Sequence, residues 1–325
     1  MMPGLLEVIE GGFGNSIQDQ GRFGFRHMGI AASGFLDTYS ARCANALVGN
    51  DQGAACIEIR VLGPTLRLAQ GRIKVALAGN VSANLTRVDG QTIAVQPWCS
   101  VTILAGDTLK VSSIKGGTAY LAVSGGIETP SQLGSRSTYM RAMIGGVGGR
   151  LIAKGQQLPV KLLVSEPAPD LAAEPWVYGD EPIRVVAGPQ DSHFKPESVE
   201  RFLSSEYHAT SQMDRMGARL DGPALEHLSA AHADIVSDGI APGAIQVPAN
   251  GEPIVLLADC QTVGGYPKIA TVISADVPRF GQLQVGQKVR FQAVDASQAR
   301  MALLEREAQW AAWADRVRSV DSASQ

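Results

Sequence analysis

The sequence predicts a mainly β chain built from two related modules, and three observations carry that prediction. The first is punctuation: 36 glycines and 17 prolines among 325 residues cut the chain into short apolar, β-branched runs, the rhythm of brief strands joined by tight turns. The second is that helical periodicity is confined to three segments. The third is an internal echo. Arg60-Val-Leu-Gly-Pro-Thr-Leu66 returns as Arg219-Leu-Asp-Gly-Pro-Ala-Leu225, and each copy is followed by an Asp-Gly pair, Asp89-Gly90 and Asp238-Gly239, expected as a turn. Gly116-Gly117 then leads into Ala122-Val-Ser124, as Gly264-Gly265 leads into Val272-Ile-Ser274. Short Gly and Pro matches also arise by coincidence in a turn-rich chain, but collinear order favours repetition of a β module.

Taken in order, strands are expected at residues 65–68, 73–77, 100–104 and 119–123 in the first half, and at 185–187 and 254–258 in the second, where the apolar pattern resumes at Ile269. Helices are expected at residues 36–48, where Gly49 suits a C-terminal cap, at 197–207, and from 296 to about 317. In the last, Leu303, Leu304, Trp310 and Trp313 fall close enough to helical spacing to form one apolar stripe, with Arg300, Glu305, Arg306 and Arg316 on the other side. Docking of that stripe on the body of the chain is the plainer expectation, and docking on a partner the alternative. Residues 161–182, rich in Pro, Ala, Asp and Glu, have linker composition, although Trp176 and Tyr178 need something to pack on. The division is therefore a first module over residues 1–170, a second over 171–295, and a C-terminal helix over 296–325.

Composition narrows the function. A 45% hydrophobic content supports a large core, and a net charge of −3 without a dense Lys/Arg run gives no field that would gather nucleic acid or anionic lipid. No stretch approaches the roughly 20 apolar residues of a membrane span, and Met1-Met2-Pro3-Gly4 with Glu7 and Glu10 lacks the basic-then-apolar layout of a leader. A cytoplasmic protein that binds neither nucleic acid nor membrane is expected. Cys43, Cys56, Cys99 and Cys260 include no Cys-x-x-Cys pair, and the histidines at 27, 193, 208, 227 and 232 lack metal-ligand spacing, so neither disulfides nor a metal are implied.

The most informative stretch is residues 245–274. An apolar run stops at Asp259, and Cys260, Gln261, Thr262, Gly264, Gly265, Tyr266 and Lys268 follow before the apolar pattern returns. A Gly-Gly pair between core strands lets backbone approach a ligand closely, while Gln261, Tyr266 and Lys268 supply donors. Asp259 at a strand end is a candidate acid or base, and Lys268 between Pro267 and Ile269 is a candidate for a desolvated, functional amine. Cys260 lacks a neighbouring His, which favours a buried core thiol over a nucleophile. Upstream, Gln212, Asp214, Arg215 and Arg219 form a second polar group; a local ion pair explains part of it, and orientation of a small polar substrate the rest. Near the N-terminus, Gln18, Asp19, Arg22, Arg26, His27, Ser33 and Asp37 are packed among glycines. Arg22 there suits two-pronged carboxylate or phosphate binding and Ser33-Gly34 a helix start that receives an anion, against an ordinary helix cap with Asp19 paired to Arg22. A third loop, Gly134-Ser-Arg-Ser-Thr-Tyr-Met-Arg141 with Gly145-Gly-Val-Gly-Gly-Arg150, is glycine-rich and basic but lacks the Gly-x-x-x-x-Gly-Lys-Ser/Thr pattern of a Walker phosphate loop.

These segments together resemble the family called the 5-oxoprolinase C subunit, allophanate hydrolase subunit 2, or the carboxyltransferase domain of urea carboxylase and urea amidolyase. The resemblance runs through Ile17-Gln-Asp-Gln-Gly-Arg22, Ser33-Gly34 with Asp37, Ala44-Asn45 to Val48-Gly-Asn50, Gly63-Pro64, Gly134-Ser-Arg-Ser-Thr138, Asp214-Arg-Met-Gly217, Pro242-Gly-Ala-Ile-Gln-Val-Pro248 and residues 261–270. It implies two cyclophilin-like β-barrel modules with the active site between them. It further implies a subunit that, with partners like the A and B subunits of 5-oxoprolinase, opens 5-oxo-L-proline to L-glutamate at the expense of ATP, the nucleotide bound in this chain or at the partner interface. Asp259, Lys268, Tyr266 and Asp214 are then the expected catalytic groups, and Gln18, Asp19, Arg22, Ser33, Asp37, Gln212, Arg215, Gln261, Thr262, Gly264 and Gly265 the expected substrate contacts. Two alternatives stay open: a carboxyl transfer to urea or a similar amide with biotin supplied by a partner, and a non-enzymatic partner that neutralises a kinase inhibitor. One departure stands out. The family commonly reads Ala-Asp-Arg-Gln-Thr where this chain reads Ala258-Asp-Cys-Gln-Thr262, which puts the substrate in doubt.

Overall fold

A computed structural model describes residues 2–164 and 169–319. The chain is mainly β, with three α-helices among the described residues. It divides into two compact units. One comprises the residues before Gly24, Ser33–Val177 and those from Trp310 on; the other comprises Gly24–Ala32 and Tyr178–Gln309.

In the first unit, a six-stranded sheet runs in the order Gln157–Leu162, Met2–Glu10, Thr65–Leu68, Thr108–Val111, Ala83–Thr86, Thr92–Val95. A five-stranded sheet runs Ser16–Gln18, Cys56–Ile59, Ala119–Val123, Arg72–Ala78, Ser100–Leu104. The two share one apolar core that includes Leu6, Val8, Ile57, Ile59, Leu66, Leu77, Leu121 and Val123, all buried. Ala119–Val123 is buried along its whole length, which explains its unbroken apolar sequence rather than an alternating one. The expected strands at 65–68, 73–77, 100–104 and 119–123 all form. Helix α1, Thr38–Leu47, lies within the expected 36–48; Asp37 caps it by accepting from the backbone N–H groups of Tyr39 and Ser40. Asp89-Gly90 forms the expected turn between Ala83–Thr86 and Thr92–Val95.

The second unit is organised by one eight-stranded, nearly closed barrel sheet, ordered Lys288–Val289, Tyr207–Met213, Gly217–Asp221, Ile254–Leu256, Ala244–Gln246, Lys268–Val272, Ile183–Ala187, Phe291–Ala293. Neighbours are antiparallel apart from the pairing of Ile183–Ala187 with Phe291–Ala293. A separate two-residue ribbon pairs Asp238–Gly239 with Val263–Gly264. This corrects the expected turn at Asp238-Gly239, and its cause is local: Asp238 is drawn in by Lys268 while its other carboxylate oxygen accepts from the Gly239 N–H. The second helix, α2, spans Pro196–Ser204 instead of 197–207, because Tyr207 is buried as the first residue of a strand.

The last helix, α3, spans Ala296–Ala314. The expected stripe is corrected here. Leu303 and Leu304 are exposed, and the buried positions are Ala302, packed with Ile273 and Ala275 of the second unit, and Trp313, which joins Trp98, Leu47 and Tyr120 in a core of the first. Both fall on one face of the helix, about three turns apart. Trp310 lies over the Arg42 guanidinium at 4.0 Å, and Trp176 stacks on Tyr39 with ring centroids 5.2 Å apart. No helix among the described residues is long and apolar enough to cross a membrane.

Candidate functional site

The site grows out of one irregularity in the second unit's sheet. Between Ala244–Gln246 and Lys268–Val272 the register shifts, so that Ile245 faces Ala270 but Gln246 faces Lys268. The extra residue, Ile269, bulges the strand and re-aims the Lys268 side chain relative to a regular pleat. Gly188 lies against the same spot. A Cβ there would meet the Lys268 carbonyl oxygen at 2.0 Å, so only glycine lets the segment through, and that segment carries Gln190.

Lys268 is buried, its side chain 4% exposed, and Nζ donates to Asp238 Oδ2 at 3.1 Å, whereas the Asp238 side chain is 54% exposed. The Lys268 contact, first among several donors, holds the Asp238 carboxyl below its ordinary range. Gln190 spans the pair: its Oε1 accepts from the Lys268 backbone N–H at 3.2 Å and its Nε2 donates to Asp238 Oδ2 at 3.3 Å. Gln246 continues the polar row, accepting from Gln261 Nε2 and donating to the Tyr266 carbonyl, both at 3.4 Å. Gly264 sits between them, where a Cβ would meet Ile240 Cδ1 at 2.6 Å and Gln246 Nε2 at 2.8 Å. Tyr266 has a half-exposed ring beside this row. Gly265 and Thr262 take part through backbone carbonyls, accepting from Ile235 and Ile240.

Asp259 and Arg215 form a fork. Arg215 Nε and Nη2 donate to the two carboxylate oxygens at 2.9 and 3.0 Å, and both side chains are less than 10% exposed. The Asp259 N–H also donates to the Arg215 carbonyl at 2.8 Å. The following residue, Cys260, is fully buried, and burial pushes its thiol up in pKa against the pull of Arg26. Arg26, from Gly24–Ala32, places Nη2 4.0 Å from Cys260 Sγ and donates to the carbonyls of Ile240 and Gln261. This thiol is a packed core group.

The other expected residues are placed as follows. Asp214 accepts from the backbone N–H groups of Met216 and Gly217, at 2.7 and 3.1 Å, and so shapes the turn before Gly217–Asp221. Gln212 is exposed on the strand before it. Gln18, Asp19, Arg22, Ser33 and Asp37 all belong to the first unit and are buried. Asp19 Oδ1 accepts from the Gly21 N–H and the hydroxyls of Ser135 and Ser137, and Oδ2 from the Arg136 N–H. Arg22 donates to the Ser137 carbonyl, and Gln18 links the Gly34 N–H to the Thr138 carbonyl. Ser33 has a left-handed backbone, φ 54°, and Asp37 is the α1 cap. These residues stitch the segment after Ser16–Gln18 to the loop at 135–138. Sequence reasoning missed Gln190, Asp238 and Gln246. Asp238 reads in sequence only as part of a turn, Gln190 carries no signal beyond its Gly-Pro neighbours, and Gln246 stands in the Pro242–Pro248 motif without a role of its own.

Residues 28–293 match the family described as the carboxyltransferase domain, subdomain A and B, and the chain belongs to that family. Among its relatives, the 5-oxoprolinase C subunit of Escherichia coli is 37% identical over 289 residues, 88% of this chain and 90% of that protein. Urea amidolyase of Saccharomyces cerevisiae is 31% identical over 313 residues, 89% of this chain but 16% of that protein. Among solved structures, the K. lactis urea amidolyase superposes with a TM-score of 0.83 at 28% identity, covering 98% of this chain and 21% of that one. The relatives are thus subunits or segments of multi-part enzymes.

Proposed function

We propose that the chain is a subunit of an ATP-dependent 5-oxoprolinase, inactive without its A-like and B-like partner subunits. The observation that carries this reading is a near end-to-end likeness to a 5-oxoprolinase C subunit joined to a buried cation, Lys268, beside polar donors. Opening a lactam puts negative charge on the amide oxygen, and a buried ammonium in a water-poor site stabilises such charge far better than an exposed one. Lys268 takes that part, with Gln261 and Tyr266 orienting the ring. Arg215 is held by Asp259 through both carboxylate oxygens, so Asp259 acts by positioning Arg215.

ATP is assigned to the partner side. In the glycine-rich loop of this chain the space beside Gly145 is filled by the Ser137 carbonyl and Arg22, that beside Gly146 by Thr138 Oγ1 and that beside Gly149 by Met143, while Gly148 faces open space, and the loop lacks the Walker pattern. The test is a complex reconstituted with both partners and supplied with 5-oxoproline and ATP. Glutamate formation that needs all components supports the reading, and a complex that leaves 5-oxoproline untouched removes it. The match to a carboxyltransferase family over residues 28–293 favours a second reading, in which biotin on a partner's carrier delivers a carboxyl group to urea or a similar amide. Bicarbonate-dependent carboxylation after adding such a carrier would select it.

A further inference from the structure

Resting on the assignment of Lys268 to the site, we propose that Asp238 is a built-in carboxylate latch: it occupies the place at the Lys268 ammonium that an anionic oxygen of the substrate takes, and it must leave for substrate to bind. Here the cation is buried and the anion faces water, with side chains 4% and 54% exposed. Asp238 sits on a stretch that crosses the Gly264-Gly265 loop. Ile235 donates to the Gly265 carbonyl, Asp238 and Gly239 pair with Gly264 and Val263, and Ile240 donates to the Thr262 carbonyl.

That stretch is fastened at its ends. Ala233 and Ile240 are buried, while Val236, Ser237, Asp238 and Gly239 between them are exposed. Lifting its middle breaks the two-residue pairing with Val263 and Gly264 but sacrifices little apolar contact. Gln190 remains behind, fixed to the Lys268 backbone, with its Nε2 donor released from Asp238 and turned toward whatever replaces it. A planar carboxylate or an oxyanion of similar size satisfies both Lys268 Nζ and Gln190 Nε2, which identifies the ligand group by its chemistry. Asp238 is then a positioning residue for Lys268.

The experiment is competitive acylation of the full-length chain by acetic anhydride, read by mass spectrometry at Lys268 with the exposed Lys115 as internal reference. Asp238→Ala is expected to raise Lys268 labelling relative to Lys115 several-fold, because the carboxylate that covers its amine is gone. Formate added to Asp238→Ala should return labelling toward the wild-type value, while Asp238→Glu stays slow without it. Labelling at Lys268 that does not respond to Asp238→Ala, or that formate fails to suppress, overturns the latch. Asp238→Asn, nearly isosteric, separates latch loss from unfolding: it should also label faster while melting like the wild type, and slow labelling in a folded Asp238→Asn protein contradicts the proposal. Neither partners nor turnover are needed. A latch that behaves as expected in a complex without lactamase activity therefore counts against the 5-oxoprolinase reading alone, and the reverse result against the latch alone.

Discussion

Lys268 and Asp259 are both buried and charged, yet they are compensated differently, and their variants should separate accordingly. Lys268→Met removes a buried cation whose partner is already in water, so no charge is stranded. The variant should fold with near-normal melting while activity of the assembled enzyme falls by about 10²-fold or more, the usual cost of losing one oxyanion-stabilising group. Asp259→Ala leaves the Arg215 guanidinium buried without its fork partner, a change that costs about 3–5 kcal/mol. Urea unfolding of the purified chain measures it, and a loss under about 1 kcal/mol would show the pair to be as weak as a surface one. At this scale the sequence is half legible. Asp259, Gln261 and Lys268 stand out because a polar break between apolar runs is costly unless used. Asp238 and Gln190 do not, because they reach Lys268 from 30 and 78 residues away and look like ordinary surface polarity in their own segments.

Elements follow local rules where the rule is strong. The strands at 65–68, 100–104 and 119–123 are legible to the residue, since β-branched runs bounded by Gly and Pro leave few alternatives. Helix α1 is legible from its apolar period and from Gly49 at its end, whereas Asp37 reads in sequence as a substrate contact and not as the cap it is; Asp37→Ala should cost about 1 kcal/mol, within the 0.5–2 kcal/mol range of a lost cap, in thermal or denaturant unfolding. Tertiary context overrides the pattern elsewhere: α2 ends early because Tyr207 is needed in the barrel, and α3 buries Ala302, clustered with Ile273 and Ala275, while Leu303 and Leu304 stay exposed. The loop bearing Ser229 and His232 gives a pH prediction. His227 donates from Nε2 to the Val247 carbonyl and packs on the Phe194 ring, and desolvation, ahead of the repulsion from His193 and His232, lowers its pKa. The unfolded chain therefore binds the proton more readily, so stability is full above the ordinary value of about 6.5 and is lost as pH falls from there through the lower folded value. Melting temperature should drop on acidification, and less so in His227→Gln; an equal drop in both would reject this origin.

For the whole molecule, the mainly β class and two-module expectation come from the density of Gly and Pro and from the collinear echo, signals that survive because turns demand particular residues wherever the rest of the chain goes. The echo is only partly structural. Gly116-Gly117 and Gly264-Gly265 each precede a core strand, but Gly63-Pro64 precedes Thr65–Leu68 whereas Gly222-Pro223 follows Gly217–Asp221. The bulge at Ile269 that aims Lys268 is not legible, since it is fixed by pairing with Gln246 across the sheet and by the close pass of Gly188. The proposed chemistry turns on that lysine. The most direct measurement is the initial rate of ATP-dependent glutamate formation from 5-oxoproline by the complex assembled with wild-type chain and, in parallel, with Lys268→Met. Turnover by the first and loss of about 10²-fold by the second is the predicted result; equal rates from the two complexes would contradict it.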